Sequence, residues 1–123
     1  MSNQPSYTIS NDVLFINKFN QVSKNKMKKY NKICITESCI DTINYFPNNI
    51  THITYIFNNN NQVLLTFPNS VTHLTLSGVF NQPIDNLPST LLYLTLGYHF
   101  NHPVTNLPIN LISLTFTGIF NQS

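Results

Sequence analysis

From Phe46 onward, apolar residues return in the same order about every 20 positions, and polar residues fill the same gaps. Each unit can be numbered from a proline: Pro47, Pro68, Pro88 or Pro108. Three residues on stand Ile50, Val71, Leu91 and Leu111. Six on stand Ile53, Leu74, Leu94 and Leu114, and eight on stand Tyr55, Leu76, Leu96 and Phe116. Phe80, Phe100 and Phe120 stand twelve on, and Ile84 and Val104 sixteen on. Columns this uniform face one core. Leu94-Thr95-Leu96 and its equivalents alternate apolar and polar, the pattern of a half-buried strand. Gly78 and Gly97 then turn the chain. Pro83 and Pro103 exclude a helix interior and bias the preceding residues to extended backbone. Each unit therefore reads as one short strand and an extended return. A single unit cannot bury its own apolar face, but stacked units can. The expectation is a mainly β solenoid with one parallel strand per coil. At ~4.8 Å per strand, about six coils make a rod roughly 30 Å long.

The phase carries backward with less fidelity. Twenty residues before Pro47 is Met27, and the same offsets place Tyr30, Ile33, Ile35, Cys39 and Ile43 in the apolar columns. A further step starts at Tyr7 and places Ser10, Val13, Phe15 and Phe19, after which Lys24 to Lys29 breaks the pattern. Residues 1–26 are read as a lead-in or degenerate cap and 27–123 as the solenoid, with clear repeats over 46–123.

Composition sharpens this picture. The chain of 123 residues has 20 Asn and 13 Thr, is 8% charged, and lacks Ala, Arg and Trp. Ala is the best helix former and Asn and Thr are weak ones, so a helical bundle is disfavoured. Part of the Asn excess fits the codon bias of an AT-rich genome. Bias does not explain alignment, and Asn81, Asn101 and Asn121 align, as do Asn86 and Asn106. An Asn just inside a coil can satisfy backbone groups at a turn or bond to the Asn stacked on it.

The unit Leu87-Pro88-x-x-Leu91-x-x-Leu94-x-Leu96-Gly97-x-x-Phe100-Asn101-x-Pro103-Val104 resembles the FNIP repeat. That family belongs to the leucine-rich-repeat-like solenoids and is abundant in social amoebae and giant DNA viruses. The resemblance is specific over Phe67 to Ser123, good from Phe46 and faint before that. It implies stacked parallel strands and a non-enzymatic protein-interaction role. Many such proteins resemble F-box proteins at the N-terminus, which implies a second reading, a truncated or divergent ubiquitin-ligase adaptor. Only Asp12-Val13-Leu14-Phe15-Ile16 is reminiscent of an F-box opening, and Ile33-Cys34-Ile35 already reads as strand.

The search for chemistry favours a binding face over a reaction centre. His52 and His73 sit five after their prolines, and Tyr93 and Ser113 continue that column. Thr54, Thr75, Thr95 and Thr115 stand two further on. Both columns flank the core position of the strand and so point away from the core. These eight residues are the candidate partner-binding face. Cys34 falls in the exposed Thr column and Cys39 in a buried one, so no bond between them is expected. His99 and His102 lie beside Pro103, off any helix and without a third ligand, and read as surface residues. No nucleophile–base pair, phosphate loop or paired carboxylate stands out, and the chain has only four acids. The expectation is therefore no enzyme, no cofactor and no metal. All six lysines fall between Lys18 and Lys32, a solvated lead-in or a weak basic patch. The absence of Arg removes bidentate phosphate clamps, so no nucleic-acid partner is expected. Without a signal pattern or a long apolar run, an intracellular location and no membrane partner are expected, the host cytoplasm if the source is viral. The last coil, with Leu111, Leu114, Phe116 and Phe120, is expected to support end-to-end self-association.

Overall fold

The computed structural model describes residues 7–17, 22–36, 46–58 and 66–118. Seven strands form one sheet whose order in space is their order in sequence. They are β1 (Tyr7–Ser10), β2 (Val13–Ile16), β3 (Lys32–Ile35), β4 (His52–Phe57), β5 (His73–Gly78), β6 (Tyr93–Leu96) and β7 (Ser113–Phe116). One helical turn, α1 (Lys24–Met27), lies between β2 and β3. From β2 to β7 every neighbouring pair is parallel. The molecule is a β-solenoid with the expected spacing of about 20 residues. The columns read from the sequence are the register observed: Ile33, Ile53, Leu74, Leu94 and Leu114 pair in succession, as do Ile35, Tyr55, Leu76, Leu96 and Phe116.

The backbone shows why the proline offsets matter. Ile50, Val71, Leu91 and Leu111 each donate their N–H to the carbonyl of the proline three residues before, closing a turn at 3.1–3.3 Å. The next two residues then donate to one carbonyl of the preceding coil. Thr51 and His52 reach Asn31, Thr72 and His73 reach Thr51, Leu92 and Tyr93 reach Thr72, and Ile112 and Ser113 reach Leu92. This doubly accepting carbonyl recurs at all four junctions from β3 to β7 and fixes where β4, β5, β6 and β7 begin. At the far end of β5, Gly78 has φ +68°, and a Cβ there would overlap the Phe57 carbonyl of the coil below. Only glycine tolerates both the left-handed backbone and the close approach.

One core runs through the stack. Ile50, Val71 and Leu91 are fully buried, as are the strand residues facing inward from β2 to β6. Phe80 and Phe100 stack almost parallel, 6.1 Å apart and 5° between planes, and Phe100 continues to Phe116 at 6.3 Å. Each side chain of this kind contributes roughly 1.5–3 kcal/mol when removed from water.

Three expectations are corrected. The most N-terminal unit is one residue out of phase: Leu14 and Ile16, not Val13 and Phe15, pair with Ile33 and Ile35 and are fully buried. Side chains alternate along a strand, so a slip of one residue exchanges the two faces. An unbroken Val-Leu-Phe-Ile run gives no pattern with which to choose. Cys34 does stand in the Thr column, paired with Thr54, but it is buried rather than exposed. Its other neighbour in register is Phe15, a ring where later coils carry Thr. Asn81 and Asn101 are exposed rather than inside the coil, yet the expected link exists: Asn101 donates its backbone N–H to Asn81 Oδ1 at 2.8 Å. Met27, Ile33 and Ile35 are buried as the backward phase required, and Tyr30 packs against the core. Phe19, Cys39, Ile43, Phe120 and Asn121 lie outside the described residues.

Candidate binding face

Parallel in-register strands place equal positions side by side at about the 4.8 Å strand spacing. On the face opposite the core this brings Lys32, His52, His73, Tyr93 and Ser113 into one row. The row beside it is Cys34, Thr54, Thr75, Thr95 and Thr115. All eight expected face residues are thus brought together. They are not uniformly open: Tyr93 and Thr115 are exposed, and the other six are half-buried.

The reason is that the rings shelter one another. His52 and His73 stack with centroids 3.9 Å apart and planes 11° from parallel. His73 and Tyr93 continue the stack at 4.5 Å and 20°. The three rings form a continuous aromatic ladder across β4, β5 and β6. It stops at Ser113, whose small side chain leaves the β7 side of Tyr93 without a ring partner in register. Such aromatic pairs are worth about 0.5–1.5 kcal/mol beyond their buried area.

Sequence reasoning missed what holds the imidazoles. Thr51 Oγ1 lies 2.8 Å from His52 Nδ1, and Thr72 Oγ1 lies 2.8 Å from His73 Nδ1. Each hydroxyl also reaches a backbone carbonyl of the coil below, Asn31 at 3.2 Å and Thr51 at 3.3 Å. The signal was present as the Thr-His dipeptide repeated at 51–52 and 72–73, replaced by Leu92-Tyr93 and Ile112-Ser113 where the imidazole is absent. A second missed column stands two after each proline. Ser70 Oγ donates to the Ile50 carbonyl at 2.6 Å, Thr90 Oγ1 to Val71 at 2.8 Å, and Asn49 Nδ2 to Lys28 and Tyr30 at 3.1 and 2.9 Å.

Electrostatics follow from the packing. His52 is held below the ordinary imidazole range by burial first, then by His73 and Lys32. Burial pushes the Cys34 thiol up, the opposite of what a thiolate nucleophile needs. A shallow cleft of about 540 Å³, reaching Asn31 just before β3, is lined by Asp12, Lys28, Lys29, Tyr30, Asn31 and Asn49. The Lys segment is thus built into the stack through α1, whose Ser23 cap accepts from the Lys26 N–H at 3.1 Å. His99 is exposed, and half-buried His102 has Nε2 3.1 Å from the Asn81 carbonyl, as surface residues of the return segment.

Residues 57–99 match the family model of the FNIP repeat. This is an FNIP repeat-containing protein. The matched stretch runs from the end of β4 through β5 and β6, so His73 and Tyr93 stand inside the FNIP repeats and His52 just before them. Comparison with curated proteins and with solved structures found no match.

Proposed function

We propose that this FNIP-repeat chain is a non-enzymatic protein-interaction module, acting inside the cell, that binds its partner along the outer face of the sheet. The observation that carries the proposal is the ladder of His52, His73 and Tyr93 on that face. Aromatic side chains ordered by their neighbours lose little freedom on binding, and Tyr is among the residues most enriched at interface hot spots. The surrounding Thr column adds hydroxyls without charge, which suits a surface that desolvates on contact. An adaptor role of the F-box kind needs a recruiting segment as well. Residues 7–16 and 32–35 are taken up by β1, β2 and β3 and belong to the sheet, which favours simple partner binding over ligase recruitment.

The test is partner capture from the native host with the chain and with a His73→Ala, Tyr93→Ala double variant. Both residues lie off the core, but the double variant removes both ring pairs of the ladder, so stability should fall by about 1–3 kcal/mol with the fold retained. Capture of the specific partner should fall at least about tenfold, the loss of one central hot spot. Unchanged capture by a folded double variant would falsify this assignment of the face.

A further inference from the structure

We propose that the Lys32–His52–His73 end of the ladder is a proton-coupled docking site for a carboxylate-rich segment of a partner protein; this rests on the interaction reading above and names its chemistry. The three side chains lie in one row on neighbouring strands. In both imidazoles Nδ1 is taken by a Thr hydroxyl, so Nε2 is the nitrogen left to a partner. The same hydroxyls already lie within reach of backbone carbonyls. A hydroxyl that turns its proton to the carbonyl accepts from Nδ1–H, so either ring can carry a proton on both nitrogens without losing its Thr contact. The local hydrogen bonding therefore admits the imidazolium.

What opposes it is charge. Two imidazoliums 3.9 Å apart, beside an ammonium, repel. The titratable and charged groups facing the pair can be named element by element. β3 contributes Lys32 and the buried, protonated thiol of Cys34, and β6 contributes Tyr93. Further off, a cleft lined by Asn31, the residue before Lys32, carries Lys28 and Lys29 against one acid, Asp12. Among the described residues no acidic side chain stands on the face itself. Nothing described on this face neutralises the protonated ladder, and an external carboxylate does. Linkage makes the consequence reciprocal: an anion that prefers the protonated rings raises their proton affinity, and acidification raises affinity for the anion by the same factor. Point-charge cations in a row, with no guanidinium fork, suit separate carboxylates better than the bidentate grip used for phosphate.

The experiment follows the His C–H resonances of the full chain by NMR, with and without a short polyglutamate peptide, between about pH 7.5 and about pH 5.5. The expected result is that peptide raises the titration midpoints of both His52 and His73, and that affinity rises at least about fivefold on acidification. A His52→Gln, His73→Gln variant should retain its circular dichroism and lose the pH dependence. Affinity that does not change with pH, or midpoints that do not move with peptide, overturns the proposal, and the wild-type titration decides this even if the variant fails to fold. If peptide does not bind but the His73→Ala, Tyr93→Ala variant still loses its native partner, the face binds by other chemistry and only this proposal falls. If that variant keeps its partner, the interaction reading falls as well.

Discussion

Met27 and Leu114 belong to opposite ends of the same core, and they reverse the relation between motif and burial. Around Met27 the repeat is scarcely recognisable: a lysine-rich helical turn replaces the extended return, and the strand before it is out of phase. Yet Leu14, Ile16 and Met27 are completely buried and Val22 nearly so. The coil of Leu114 keeps the apolar residues three, six and eight after its proline, but Leu111, Leu114 and Phe116 are only partly buried, and Ile109 and Ile112 are 94% and 67% exposed. Faithful spacing sets which face a residue occupies. Burial requires apolar surface on both sides, and among the described residues the last coil has a neighbour on one side only. The other end has β1, which folds back antiparallel on β2 through Asn11 and Asp12, both at positive φ as a tight hairpin turn demands.

The contrast can be broken at several points. The largest effect is expected for Phe100→Ala, in the middle of the stacked phenylalanines, at about 3–5 kcal/mol in chemical denaturation. That approaches the whole stability of a small domain. Met27→Ala should cost about 2–4 kcal/mol although it lies outside the recognisable repeats. A loss under about 1 kcal/mol would mean that the N-terminal segment does not unfold with the solenoid, and the contrast would collapse. Leu114→Ala, in the faithful coil, should cost only about 1 kcal/mol, because much of its transfer energy is not realised.

The smallest effect tests the ladder. Burial, His73 and Lys32 lower the His52 pKa in the folded chain. The unfolded chain takes up that proton first, near the ordinary imidazole value of about 6.5. Stability due to neutral His52 is therefore fully present above that value and is lost as pH falls through the lower folded-state value. The melting temperature should drop on acidification from about pH 8 to about pH 5, by less in His52→Gln than in the parent. Equal slopes would remove His52 as the source.

These two ends also show how much could be read from the chain. The fold was legible because a repeat samples each position several times: Ile53, Leu74, Leu94 and Leu114 support one another where a single strand would be ambiguous. Where the sampling fails, so does the reading, as in the one-residue slip at Val13-Leu14-Phe15-Ile16. The rows of the candidate face followed from the same register. Their chemistry did not, because stacking and Thr–His bonding run between coils and between neighbours that a column-by-column reading separates. Cys34 was misjudged for a related reason: its column carries Thr in later coils, whereas its own neighbour in register on β2 is the larger Phe15.

The paired N–H groups that meet one carbonyl at Asn31, Thr51, Thr72 and Leu92 involve no side chain. Each finished coil is thus a template offering the next one the same backbone socket, whatever residues it carries. Duplicating a whole repeat inserts a unit that arrives with its own plug and socket, while a stray residue must be absorbed between coils, as the one-residue longer step from Pro47 to Pro68 is. A gene built this way can lengthen or shorten by whole modules while surface columns drift independently, so that recognition is free to diversify on a scaffold copied without redesign.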